Sequence, residues 1–149
     1  MRLVIETPVA QPPEEVMAGF NQDLFIKLNP PFPPVKVLRF DGSKRGDEVH
    51  LELNMLLFKQ RWISVITEDG ANDNEFYFVD EGQRLPFFLS YWRHRHRIVR
   101  AGEGSTIVDD ITFRSPLHLS ALLWPSLRAQ FAYRCPVYQQ VFGKRSTGR

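Results

Sequence analysis

Between Val35 and Arg114 apolar side chains recur at every second residue; after Ser115-Pro116 they recur at every third or fourth. This change of period limits what the chain can fold into more than any other feature. Period two places side chains alternately on the two faces of a strand, and a period near 3.6 places them on one stripe of a helix. Glu48 to Leu57 is the clearest case of the first: Val49, Leu51, Leu53 and Met55 fall on one face and Glu48, His50, Glu52 and Asn54 on the other. Trp62, Ile98, Ile107 and Ile111 are expected on the same inner face. The second pattern runs through Leu119, Leu122, Leu123 and Leu127, with Phe131, Arg134, Tyr138 and Val141 near the same stripe, and Pro125 and Pro136 must kink or divide that helix. A half-buried meander needs a cover for its apolar face, and the last segment is the only long apolar helix that can supply one.

The remaining elements follow from local signals. Arg2 to Thr7 reads as a first strand. Pro12-Pro13-Glu14-Glu15 opens a short helix that ends near Gly19, and Asn21 caps a second over Gln22 to Leu28, stopped by the proline run from Pro30 to Pro34. Strands are expected over Val35 to Phe40, Glu48 to Leu57, Arg61 to Thr67, Glu75 to Asp80, Leu89 to Arg100 and Ser105 to Arg114. Glu68-Asp69-Gly70 and Glu81-Gly82-Gln83-Arg84 read as turns, and Ala101 to Gly104 as a hairpin turn. Helices segregated from about seven antiparallel strands define an α+β fold.

The 149 residues form one domain, 1–149, with a polar end over 144–149 expected to fray. A chain of this length buries enough surface to fold without a metal or a disulfide. A net charge of +2 gives no global case for nucleic acid, and a single cysteine, Cys135, excludes an internal disulfide and a cysteine-based zinc site. That cysteine usage fits a reducing compartment, so a cytoplasmic location is expected. No signal peptide and no membrane-spanning stretch is legible, so no integral membrane association is expected.

The strand Ser90 to Arg100 carries the sharpest signal. Trp92, His94, His96 and Ile98 share one face; Tyr91, Arg93, Arg95, Arg97 and Val99 share the other. Closely spaced arginines are costly to bury, so their face points to water and the histidines point inward. Counting back from the Ala101–Gly104 turn sets Ile98 opposite Ile107, His96 opposite Asp109, His94 opposite Ile111 and Trp92 opposite Phe113. An interior His96–Asp109 pair has three readings: a buried polar pair that fixes register, an anchor for the polar end of an apolar ligand, or an acid–base couple. Pairing would raise the histidine pKa and lower that of the aspartate, unless desolvation outweighs it. Two histidines with Asp109 lack a fourth zinc ligand, and no cofactor is expected.

Three segments carry a resemblance to a known family. They are Leu28-Asn29-Pro30-Pro31-Phe32-Pro33, then Leu85-Pro86-Phe87 leading into Trp92-Arg93-His94-Arg95-His96-Arg97-Ile98, and the strand Ser105 to Phe113 ending at Pro116. With the element order, they resemble the START-like, or SRPBCC, superfamily, and within it the small bacterial ligand-binding SRPBCC domains. The resemblance implies a helix-grip fold: a curved antiparallel sheet of about seven strands around a long C-terminal helix, with two short helices between the first and second strands. It further implies a cavity for a hydrophobic small molecule, such as a lipid, an isoprenoid or an aromatic metabolite. Ligand contacts are then expected from Leu53, Met55 and Trp62, from Phe87, and from Trp92, His94 and His96. Asp109, Ile111 and Phe113 would add to them from the last strand, and Leu123, Leu127 and Phe131 from the helix. Phe32 to Val35 and Leu85 to Leu89 are the expected gate. A polyketide cyclase-like or aromatase-like enzyme using His94, His96 and Asp109 is the alternative, and an interaction module with a filled core a third. Where the family pattern has glycine or a small turn, this chain has Leu85 and Leu117-His118-Leu119.

Overall fold

Strand pairing follows chain order. In the computed structural model, which describes residues 1–145, β1 (Arg2–Val9) leads into α1 (Pro13–Ala18) and α2 (Gln22–Leu28). Six strands follow: β2 (Val35–Phe40), β3 (Glu48–Asn54), β4 (Lys59–Ala71), β5 (Glu75–Arg84), β6 (Tyr91–Ala101) and β7 (Gly104–Arg114). All neighbours are antiparallel, in the order β1-β7-β6-β5-β4-β3-β2, so the first strand returns to pair with the last. A short 3-10 turn (Pro116–His118) precedes α3 (Ser120–Ala132) and α4 (Arg134–Phe142). This is the helix-grip α+β architecture, a seven-stranded sheet with the C-terminal helices against its inner face.

Local chemistry accounts for the elements. The Asn21 side chain accepts from the Leu24 N–H at 3.0 Å, which caps α2 as its sequence predicts. Pro136 has no N–H to give to the Ala132 carbonyl one turn back, and the helical run divides at Tyr133 between α3 and α4. The backbone at Tyr133 stays helical (φ −57°, ψ −28°), so the two helices act as one long cover.

Several boundaries differ from the sequence reading, four of them with a structural reason. β3 ends at Asn54 instead of Leu57, because Leu56 turns left-handed at φ 74° and starts the connection to β4. β4 and β5 run through the two glycine segments read as turns. At Gly70 the Tyr77 ring lies over the backbone, and a β-carbon there would meet it at 2.6 Å; at Gly82 the Leu85 side chain does the same at 2.4 Å. These glycines mark close approaches within strands, not ends of strands. The expected tail also starts later: Lys144 bridges to Val9 and Arg145 donates to the Ser105 carbonyl, while 146–149 lie outside the described residues.

The core has two parts. Leu3, Ile5, Leu89, Trp92, Ile111 and Phe113 pack beneath Leu127 and Phe131 of α3. Val9, Val16, Leu24, Leu28, Ile98 and Ile107 pack around Tyr138 and Phe142 of α4. Of the expected helical stripe, Leu119 and Leu122 face outward, and the inner stripe is Leu127, Phe131, Tyr138 and Phe142. On β6, Trp92 belongs to the first cluster and Ile98 to the second, so His94 and His96 form a polar layer between two apolar ones.

Candidate functional site: a cleft with a histidine–aspartate floor

The inner face of β6 puts His94 and His96 side by side, with ring centroids 3.5 Å apart, and both are buried. The backbone register is the one counted from the hairpin, with His96 opposite Asp109 and His94 opposite Ile111. The side chains pair differently. His94 Nε2 lies 2.8 Å from Asp109 Oδ1, and His96 Nε2 lies 2.6 Å from Asp80 Oδ2 on β5. His96 Nδ1 stays 3.9 Å from Asp109. The expected His96–Asp109 bond is therefore replaced by two crossed ones, because the imidazoles reach along the strand instead of straight across it.

Asp80 is the residue the sequence reading missed. It closes the expected strand Glu75 to Asp80, where alternation with Phe76 and Phe78 puts it on the inner face; that alternation was the signal for it. Its carboxylate accepts from His96 and, at 3.1 Å, from the Trp92 indole. Arg134 is the other addition: its guanidinium lies over the Phe131 ring and 3.7 Å from Asp109. A cation within an apolar helical stripe was the signal for it.

Burial dominates the electrostatics. It holds the His96 pKa down to about 4, with the neighbouring His94 adding to the effect and the Asp80 hydrogen bond opposing it. The expected rise is overturned by desolvation. Burial pushes the Asp80 carboxyl up, but hydrogen bonding from His96 and Trp92 and the adjacent imidazoles bring it below the usual range. Asp109 also falls, since His94 and Arg134 outweigh its desolvation. Both carboxylates are therefore ionised at neutral pH and can only accept, so each histidine donates through Nε2. With His96 neutral at that pH, its Nδ1 is left as an acceptor. His96 Nδ1 and Asp109 Oδ2 are buried without a partner, and Asp80 Oδ2, at 3.6 Å, is the carboxylate oxygen nearest His94 Nδ1.

Asp80, His94 and His96 offer ligand atoms within 4.8 Å of one another, a set that could hold a metal ion. Nε2 of each ring is bonded to a carboxylate, Asp109 for His94 and Asp80 for His96.

The floor opens into a cleft of about 150 Å³ between α2, β2–β6 and α3. Of the residues expected to meet a ligand, Leu53, Trp62, Trp92, His94, His96, Leu127 and Phe131 line it. Asp109 lies one layer behind, 1% exposed. Ile111 and Phe113 are fully buried in the core, and Leu123 packs at its edge. Met55 sits in the connection after β3, and Phe87 is 61% exposed on the loop before β6. Of the expected gate, Pro33 and Val35 border the cleft; the 85–89 loop does not. Ser64, Gln130 and Arg134 join the lining, with Phe20, Leu24 and Phe25 from the α1–α2 segment.

The arginine face of β6 is the outer one. Arg97 pairs with Glu75 at 2.8 Å, Arg93 with Glu81 at 3.8 Å, and Arg95 stacks on Tyr77.

This combination of sheet, grip helix and inward cleft is that of START-like, or SRPBCC, proteins, and the chain has their fold. No protein-family model matches the sequence, and no curated protein matches it. Solved structures do. A protein from Chromobacterium violaceum aligns with a TM-score of 0.70 at 13% identity, over 97% of this chain and 99% of its own. A protein from Mycobacterium smegmatis aligns at 0.65 and 16% identity, over 94% and 89%. Norcoclaurine synthase from Thalictrum flavum, in complex with dopamine and hydroxybenzaldehyde, aligns at 0.64 and 12%, over 95% and 85%.

Proposed function

We propose that this protein binds a small hydrophobic molecule, about one or two rings in size, whose polar end meets the polar layer of Asp80, His94 and His96. The observation that carries this reading is an apolar cleft of about 150 Å³ whose floor is a polar layer of Asp80, His94 and His96. An apolar cavity of that volume accommodates benzene. Among the ligands the fold allows, this favours an aromatic metabolite over a long-chain lipid. A protein of the same fold holds two single-ring aromatics, dopamine and hydroxybenzaldehyde, which supports the size class. Apolar walls give affinity, and the few polar groups fix orientation.

The test is displacement of an apolar fluorescent dye. Single-ring phenols should displace it, and long-chain fatty acids should compete poorly. Leu51→Trp, at a half-buried lining position on β3, should fill the cleft and abolish dye binding while leaving the thermal transition in place. Unchanged dye binding in that variant would remove the cleft as the site.

One observation favours an enzymatic reading: each histidine is oriented by its own carboxylate, as a general base requires. An aromatase-like or cyclase-like protein would convert a ring-forming substrate, and its rate would vanish in His94→Gln and His96→Gln variants that still bind ligand.

A further inference from the structure

The two ends of the sheet differ in chemistry. At one end lie the 41–47 turn, the 72–74 connection and the 101–104 turn, with Asp41, Asp47, Asp73 and Glu103. At the other lie the 29–34 segment and the connections 55–58, 85–90 and 115–119. These connections touch: the Phe58 and Phe87 rings are 5.8 Å apart, the Phe87 N–H donates to Gln60, and the Ser115 hydroxyl donates to the Phe88 carbonyl. Their tips and the adjoining first turn of α3 are apolar and bare, with Leu57 95% exposed, Leu117 87% and Leu122 77%, beside exposed Phe32 and Phe87.

Backbone conformation and charge single out the same end. Leu56, Leu117 and His118 are the non-glycine residues with positive φ among the described residues, and all three lie in these connections. Left-handed backbone is disfavoured for a leucine and persists only where the surrounding structure holds it. No Asp or Glu occurs in 53–67, 82–102 or 111–149. Arg61, Arg84, Arg114 and Arg128 are exposed there, and among the described residues none has a carboxylate within ion-pair distance; Lys59 pairs with Glu52.

We infer that this end docks on an anionic lipid bilayer, with the leucine and phenylalanine tips entering the interface and the arginines meeting the headgroups. Apolar insertion combined with cationic contact is the recurring chemistry of interfacial binding. A second copy related by a two-fold axis would set arginines against arginines, and nucleic acid would leave the apolar tips in water. Pro30 and Pro33, on either side of Pro31-Phe32, border the cleft at this end, and Gly42 and Ser43 border it at the other, so docking brings one end of the cleft to the membrane. That last consequence rests on the ligand-binding reading; the docking itself does not.

Vesicle flotation tests it. The protein should float with phosphatidylcholine vesicles containing about one-third phosphatidylglycerol, and not with phosphatidylcholine alone. Raising salt to ~0.5 M should weaken it. The Leu57→Asp, Leu117→Asp double variant should lower partitioning by about tenfold or more, with the melting temperature and dye binding in solution unchanged. Failure of the wild type to float on anionic vesicles would overturn the inference. So would flotation of the variant equal to wild type, which would mean charge adsorption alone. A wild-type dimer in light scattering that the same variant dissociates would overturn it too, because a second copy would then cover the tips. Dye binding is read separately, so a failed flotation leaves the ligand reading standing.

Discussion

His96 concentrates the energetic conflict of the site. In the unfolded chain its imidazole titrates near its usual ~6.5; in the folded protein burial holds it at about 4. A depressed folded value means the unfolded state takes up the proton first. Its contribution to stability is therefore complete above about pH 6.5 and is lost as pH falls toward 4. The loss at the lower limit is about 3 kcal/mol from this group alone. Asp80 and Asp109, both lowered, add their own loss below about pH 4. Chemical denaturation between pH 7.5 and 4 should therefore show stability declining before any carboxylate protonates; a flat profile down to about pH 4.5 would mean His96 is not desolvated. Asp109→Ala should cost roughly 1–3 kcal/mol, because it leaves the His94 Nε2 donor and the Arg134 guanidinium facing an empty position. Equilibrium unfolding measures it, and a change under about 0.5 kcal/mol would mean water satisfies both groups.

The sequence reached this layer only in part. Alternation along β6 and β7 located His94, His96 and Asp109 on the inner face and gave the correct backbone register. Which carboxylate each ring chose was not legible, because that depends on side-chain torsions. The true end of β5 stayed hidden because Glu81-Gly82-Gln83-Arg84 has the composition of a turn, and glycine inside a strand betrays its role only once the Leu85 side chain is seen lying on it.

At the scale of elements, the C-terminal helices separate packing from periodicity. Leucines at 119, 122, 123 and 127 form an apparent stripe, yet Leu122 points to solvent while Leu127 is 4% exposed. The reason is the connection before α3. Leu117 and His118 adopt left-handed backbone, which re-aims the first turn and leaves the stripe to begin properly at Leu127 and Phe131. Leu127→Ala should cost about 2–5 kcal/mol, and Leu122→Ala should change stability by less than about 0.5 kcal/mol. Paired denaturation curves decide; similar large losses at both positions would mean the first turn of α3 is packed inward. The departure of 117–119 from the glycine-bearing family pattern is visible in the sequence. Its consequence, two consecutive left-handed residues that carry side chains, is a matter of backbone geometry that composition does not encode.

The whole molecule is organised along one axis, with a polar end, a two-part core divided by a histidine–aspartate layer, and an apolar basic end. Among the described residues no helix is long and apolar enough to cross a membrane. The fold was legible nearly throughout, since a meander followed by an amphipathic helix leaves little choice of topology. The ligand was not, because the cleft is shaped by residues as far apart as Phe20 and Arg134.

In the proposed binding mode a ligand's polar end meets His94 and His96 at the foot of the cleft. Long-range proton–nitrogen NMR of the four histidines during titration with a single-ring phenol tests it most directly. His50 on β3 and His118 before α3 are outside the cleft lining and serve as internal references. The expected result is saturable shifts in the ring-nitrogen resonances of His94 and His96 while those of His50 and His118 stay fixed; no shift at His94 and His96, or equal shifts at all four, would contradict it.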